Sequence, residues 1–313
     1  MTKVTPIYAH EGHIITQDDG LLLWYGTGQK HLEGDDWLSD SIRLYTSRDF
    51  SNWRSKGRVF LTSSIPQLPA PPPYRIGSVN ALYNAVRRQY VLIFSVSSLD
   101  RSFSAIGFAT SVAPSGPFKW ERASVSDGAP TSDVAVAWDE DGGGASAYLV
   151  RSTGANGTTI SRLRDDFLGT TGACGYAPPT GAPALFKSGG RWYLFGSRHK
   201  GWQPGAPQLF ASDSGDLCGA TWSKLPRPAD GRGADTTFDS QPAFVHTFRW
   251  QGGGELQIYA GDRWNAEGEG GVGNASYVFL PLLPAGDGGD PPGFELQWLE
   301  RWRLGDYKPI TPS

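Results

Sequence analysis

The chain has 313 residues, a length that large undivided β domains routinely reach. Its net charge of −3 comes with no basic block, which excludes a nucleic-acid track and attraction to an anionic membrane surface. No run approaches the roughly 20 apolar residues needed to cross a bilayer. Met1 to Pro6 has no apolar signal core, so the protein is either intracellular or has lost a leader. The composition is that of a β protein: 41 Gly, 23 Pro, 12 Trp, 12 Tyr and 15 Phe stand against one Met and few runs of helical spacing.

Taken in chain order, one unit recurs five times: a short apolar strand, a tight polar turn, and a second apolar or aromatic strand. The copies run from His13-Ile14-Ile15 to Leu21-Leu22-Leu23-Trp24-Tyr25, and from Ala81-Leu82-Tyr83 to Tyr90-Val91-Leu92-Ile93-Phe94. The third runs from Val134-Ala135-Val136 to Ala147-Tyr148-Leu149-Val150, and the fourth from Ala184-Leu185-Phe186 to Trp192-Tyr193-Leu194-Phe195. The fifth joins Ala243-Phe244-Val245 to Leu256-Gln257-Ile258-Tyr259. The turns are Asp18-Asp19-Gly20, Asp139-Glu140-Asp141-Gly142, Ser188-Gly189-Gly190 and Gly252-Gly253-Gly254, all hairpin formers.

A third strand follows most copies, and in three it leads to Trp53, Trp120 or Trp222, each placed to cap the outer edge of a four-stranded sheet. Repeat starts lie roughly 45–70 residues apart, a spacing that suits propeller blades. The expected fold is an all-β, five-bladed β-propeller: one domain over residues 1–313, with 294–307 as a closing segment. In such a fold the first strand of each blade lines a central channel, and loops at one end form the pocket. The residues placed for chemistry are therefore His10-Glu11-Gly12-His13, Arg75 to Asn80, Ser132-Asp133, Gly181-Ala182-Pro183 and Asp239-Ser240-Gln241. Cys174 and Cys218 can form one disulfide or remain two thiols, and their spacing matches no metal motif. No nucleophile elbow is present, so serine hydrolase chemistry has no support.

At those positions the chain resembles glycoside hydrolase family 43, and within it the exo-β-1,3-galactanase group. The resemblance spans essentially the whole length. It runs through Ala9-His10-Glu11-Gly12, Trp24-Tyr25-Gly26, Tyr83-Asn84, Ser115-Gly116-Pro117-Phe118 and Ser132-Asp133. It continues through Ala182-Pro183-Ala184-Leu185-Phe186-Lys187, Gly201-Trp202, Gln241, Asp262-Arg263-Trp264-Asn265 and Ser276 to Leu282. The resemblance implies removal of terminal sugars from β-1,3-galactan with inversion at the anomeric carbon, which needs a proton donor and a group that orients water on the opposite face. It assigns Gln241 to the water and Asp133 to tuning the acid.

The chain departs from the family at three carboxylates. Gly181 stands where the family's Glu-Ala-Pro carries the acid, Gly77 to Asn80 stands where its Glu-Arg-Pro-Lys falls, and Thr27 replaces the Glu after Trp-Tyr-Gly. Glu11 is a gained carboxylate. Asp239, two residues before Gln241, would face the same side if both were in a strand. These two are the candidates for a relocated acid, while Glu33, Asp35, Asp36, Glu267 and Glu269 read as loop charges. His10, Trp202, Arg263, Trp264, Asn80 and Gly181 are the candidate substrate contacts, with the two tryptophans offering flat faces to a sugar.

Two readings stay open: an inverting glycosidase acting on terminal β-linked galactosyl residues, and a catalytically silent glycan-binding propeller. The expected partner is an oligo- or polysaccharide bound by a monomer, without nucleic acid or membrane. No cofactor is required. The resemblance suggests a calcium or sodium ion in the central channel, with calcium as the structural candidate, and no residue demands it.

Overall fold

The computed structural model describes residues 7–31, 37–125, 131, 133–139, 146–152, 157–264, 271–286 and 289–307. The described residues form five four-stranded sheets, in each of which every strand pairs with its neighbour in sequence. The first holds β1 (His10–Thr16), β2 (Leu22–His31), β3 (Trp37–Ser47) and β4 (Arg54–Leu61). The second holds β5 (Tyr74–Asn84), β6 (Gln89–Ser98), β7 (Ser104–Ser111) and β8 (Lys119–Ser124). The third holds β9 (Val134–Asp139), β10 (Ser146–Ser152), β11 (Thr158–Leu163) and β12 (Thr170–Ala177).

The fourth holds β13 (Gly181–Ser188), β14 (Arg191–Lys200), β15 (Gln203–Ser212) and β16 (Trp222–Lys224). The last holds β17 (Gln241–Arg249), β18 (Glu255–Arg263), β19 (Ser276–Pro284) and β20 (Phe294–Leu296). This is a five-bladed β-propeller, as the five sequence repeats imply. The closing segment expected at 294–307 supplies β20, the fourth strand of the last sheet, followed by a short turn at Leu304–Tyr307. No helix among the described residues is long and apolar enough to cross a membrane.

The blades group into two compact units. The first comprises the chain to Ala123 with Trp264–Ser276, and the second Ser124–Arg263 with Tyr277–Ser313. In the first unit, β1 lies beside β5; in the second, β13 lies between β9 and β17. First strands are thus neighbours within each unit. Second strands are buried on both faces and so read as continuous apolar runs: Leu22 to Tyr25, Val91 to Phe94 and Trp192 to Phe195 are all sealed from solvent.

Aromatic side chains fill the space between blades. In the first unit Phe60 of β4 packs at 5.4 Å from Phe94 of β6, and Trp120 of β8 covers both rings. Trp53 precedes β4, donates its indole N–H to the Phe50 carbonyl and packs 4.9 Å from Trp24. The recurring tryptophans therefore mark the start of three fourth strands, β4, β8 and β16. Tyr25 donates its hydroxyl to the Pro114 carbonyl at 2.7 Å and meets Phe118 edge-on, which joins the Trp-Tyr-Gly and Ser-Gly-Pro-Phe segments through packing.

In the second unit Phe186 stacks on Tyr193 with planes 12° apart, and Phe294 closes on both edge-on. Lys187, which ends the Ala-Pro-Ala-Leu-Phe-Lys segment, pairs with Asp139 at 2.6 Å in largely buried surroundings, with its ammonium over the Trp192 ring. That lysine belongs to the joint between the third and fourth blades.

Cys174 on β12 and Cys218 in the β15–β16 loop are joined by a disulfide across a sequence separation of 44. It ties the outer edge of the third blade to the fourth. Beside it, Asp216 accepts from the Tyr148 hydroxyl at 2.8 Å and pairs with Arg162. Closing a loop of this length limits the unfolded chain, so Cys174→Ser with Cys218→Ser should cost about 2–4 kcal/mol. Chemical denaturation of the double variant measures this; an unchanged midpoint would show that the bridge adds nothing.

Candidate functional site

The site residues sit where first strands lose register. Strand β1 slips against β2 between His10 and His13, and β5 against β6 between Gly77 and Asn80. Strand β13 slips against β14 between Gly181 and Ala184, and β17 against β18 between Pro242 and Phe244. His10, Gly77, Gly181 and Gln241 thereby hold equivalent places, paired with Thr27, Ser95, Ser197 and Asp262. In the first three the next residue is left-handed: Glu11 at φ 47°, Ser78 at 46° and Ala182 at 48°. Such a bulge re-aims side chains and leaves a backbone N–H outside the ladder.

In both units a carboxylate from the preceding blade takes that N–H. Glu11 Oε2 accepts from Ser78 N at 2.8 Å, and Asp133 Oδ2 accepts from Ala182 N at 3.1 Å. The hydrogen bond at Ala182 places the Asp133 carboxylate beside Gly181, which carries no side chain.

In the first unit His10 is fully buried, its ring 5.4 Å from the half-buried Trp264, and its carbonyl accepts from the Thr27 hydroxyl at 3.2 Å. Asn80 is buried and turns its amide back to the Ser78 carbonyl at 2.8 Å, so it braces the bulge. Ser39 of β3 donates to the Ile76 carbonyl at 2.8 Å and fixes the start of β5 to the first blade.

In the second unit Gln241 is buried, and its amide N–H groups reach the carbonyls of Gly201 (2.8 Å) and Gln203 (3.2 Å). Both amide hydrogens are thus held by the β14–β15 turn, which fixes the direction of the acceptor end. Trp202 lies half-buried in that same turn.

Behind Gln241, Ser240 donates to the Thr237 carbonyl at 2.6 Å and meets the Tyr259 hydroxyl at 2.8 Å. Burial raises the Tyr259 phenol well above its ordinary range, so it stays a neutral hydrogen-bonding group. Gly261 allows this approach: a Cβ there would lie 2.5 Å from the Tyr259 hydroxyl and 2.7 Å from Ser240 Oγ. Ser240 lies in a segment the sequence places for chemistry, but its part, like those of Tyr259 and Gly261, lies in contacts between strands and shows in no motif.

Two expectations change. Asp239 does not share a strand with Gln241: the strand begins at Gln241, and Thr237, Phe238 and Asp239 are successive left-handed residues. Asp239 is exposed and accepts from the Thr236 hydroxyl at 2.8 Å, so the two-residue alternation that would align it with Gln241 never applies. Arg263 grips the Phe238 carbonyl with Nε at 3.1 Å and Nη2 at 2.8 Å, and its guanidinium lies 4.6 Å from the Trp298 ring centre. That grip makes it a brace for the left-handed loop leading into Gln241.

Glu33, Asp35, Asp36, Ser132, Asn265, Glu267 and Glu269 lie outside the described residues. Among the described residues no group of three or more His, Cys, Asp or Glu is disposed to hold a metal ion.

No family model matches the chain, and no curated protein matches it in sequence. Its fold is shared by solved structures of glycoside hydrolase family 43. A family-43 β-1,3-galactosidase with galactodeoxynojirimycin superposes with a TM-score of 0.80 at 22% identity, over 95% of each chain. An exo-β-1,3-galactanase from Clostridium thermocellum gives 0.79 at 25% identity over 94% of this chain, which spans 62% of that protein. The exo-β-1,3-galactanase from Phanerochaete chrysosporium with galactose gives 0.78 at 24% identity, over 94% of this chain and 64% of that one.

His13 supplies a test of the first-strand environment. The residue is half-buried but its Nδ1 is sealed from solvent, and burial outweighs a hydrogen bond with the Ala81 backbone, lowering the imidazole to about 4. The unfolded chain takes up this proton near pH 6.5 and the folded chain only near 4. The stability His13 contributes is therefore complete above pH 6.5 and is lost as pH falls through that window, by up to about 3 kcal/mol. Unfolding measured from pH 7 to 4 should show a shallower decline in His13→Gln; identical slopes would refute a buried neutral imidazole.

Proposed function

We propose that the chain is a galactoside-recognising propeller of the family-43 type that keeps the water-orienting part of an inverting glycosidase and lacks the proton-donating part. One observation carries this reading: the Asp133 carboxylate is anchored on Ala182 N, immediately beside a position that is glycine. A carboxylate that tunes an acid is in place, while the acid it would tune is missing.

Inverting hydrolysis needs water delivered to the anomeric carbon as the C–O bond breaks and a proton for the departing oxygen. The anchored amide of Gln241 supports the first task, and Asp133 flanks the second. Asp239, exposed and engaged with Thr236, is poorly suited to supply the proton. The substrate class is proposed from the β-1,3-galactosidase and exo-β-1,3-galactanase structures that share the fold: terminal β-1,3-linked galactosyl residues.

A leaving group that departs without a proton separates the two halves. The protein should bind β-1,3-galactobiose and cleave it very slowly, while a 2,4-dinitrophenyl β-galactoside turns over readily. Gly181 lies in extended strand, so Gly181→Glu can restore a donor beside Asp133. Galactobiose hydrolysis should rise by about 10²–10⁴, the usual worth of general acid catalysis, with little change on the activated substrate. A wild type that already cleaves galactobiose as fast as the variant, and loses that activity selectively in Glu11→Gln, would instead establish Glu11 as a relocated acid.

A further inference from the structure

We infer that Trp298 is an aromatic platform for a galactosyl residue beyond the terminal one, so that the chain binds β-1,3-linked oligosaccharides more tightly than a single galactose. The inference rests on the galactoside reading above and adds to it a subsite that selects for chain length.

Trp298 meets the segment that leads into Gln241. Strand β20 pairs Phe294 with Pro284 and Leu296 with Leu282, and Trp298 is the second residue past its end. There Phe238 lies 5.9 Å from the Trp298 ring. The Arg263 guanidinium, which grips the Phe238 carbonyl, lies over the same ring at 4.6 Å. Arg263 in turn follows Asp262, the partner of Gln241 in the β17–β18 ladder. One set of contacts thus links the ring to the anchored amide.

Packing alone does not account for this side chain. Among the tryptophans whose exposure is described, only Trp298 is exposed, at 39%, whereas its neighbour Phe238 is buried. A tryptophan that served only to cover Phe238 would gain by burying its own ring as well. Single exposed apolar residues are common and by themselves signal nothing. What marks Trp298 is an orientation fixed from three sides. The guanidinium covers one face, Phe238 packs at a tilt, and the indole N–H donates to Glu300 Oε1 at 2.9 Å. With its N–H engaged, the side chain offers solvent its ring carbons. A galactosyl ring has an apolar C–H side that stacks on such a surface, and a platform already held in place loses little freedom on binding.

The test uses the full chain with methyl β-galactoside and β-1,3-galactotriose as probes, affinity being read by calorimetry and folding by the thermal midpoint. The wild type should bind galactotriose more tightly. Trp298→Ala should weaken galactotriose binding about 3–10-fold, the worth of one aromatic contact, and leave methyl β-galactoside unchanged. Trp298→Phe keeps an aromatic face and should recover most of the loss. A second measurement needs no variant. N-bromosuccinimide oxidises exposed indoles, and peptide mass analysis should find Trp298 protected by galactotriose but not by methyl β-galactoside.

Equal losses on the two probes would show that Trp298 acts through the loop before Gln241, and would overturn the assignment. So would unchanged galactotriose affinity in Trp298→Ala, a wild type that binds both probes alike, or oxidation that galactotriose does not slow. Each of these leaves the galactoside reading standing, because the wild type still binds. A wild type that binds neither probe refutes that reading, and this assignment with it.

Discussion

The placement of the candidate site residues in both units depends on the one-residue slip at the head of the first strands. In a regular ladder every N–H is paired and side chains alternate strictly, so a strand end offers little that can be tuned. The slip withdraws one N–H from pairing and turns one residue left-handed. That N–H must find an acceptor, because an unmade buried hydrogen bond costs about 1–3 kcal/mol. Here the acceptors are carboxylates from the preceding blade: Glu11 for Ser78, and Asp133 for Ala182. The same hydrogen bond that repairs the backbone therefore fixes a carboxylate beside the position the bulge has re-aimed.

Gln241 is held by a different device. Its blade slips one step later, between Pro242 and Phe244, and the segment before it is a run of three left-handed residues. Such a run is costly, and the structure supports it from several sides. Arg263 holds the Phe238 carbonyl, Thr237 donates to the Gly205 carbonyl at 2.8 Å, and Ser240 bridges Thr237 to Tyr259. The backbone so fixed delivers an amide whose own hydrogens are held by Gly201 and Gln203. A neutral amide cannot take a proton from water as a carboxylate can, so its usefulness lies in direction. That is the property all these contacts secure.

The five-fold repeat and its hairpins were legible because alternation, glycine turns and aromatic second strands are local signals, and each blade carries its own copy. The pairing of Cys174 with Cys218 was not, since two cysteines alone state no distance. Among site residues, the sequence located the heads of the first strands but not their geometry. Asp239 illustrates why: a period of two applies only inside a strand, and three left-handed residues before Gln241 break it. Arg263 was legible only as a candidate substrate contact; the carbonyl it grips, that of Phe238, is 25 residues away. Glu11 was visible as an extra carboxylate, yet its link to Gly77 spans 66 positions and exists only across two blades.

The two glycines therefore have different consequences, although they occupy equivalent places. At 77 the missing side chain is matched by a carboxylate from the neighbouring blade, so that position keeps a charge. At 181 the neighbouring carboxylate is Asp133, whose hydrogen bond goes to the adjacent N–H of Ala182. A binding group can be supplied from either strand, because a sugar hydroxyl requires only an acceptor at the right point. A proton donor must also carry its proton near neutral pH and lie in line with the departing oxygen, which demands a particular length of side chain in particular surroundings. Substitution by a neighbour therefore replaces an acceptor more easily than an acid catalyst, and at position 77 such a neighbouring carboxylate is present.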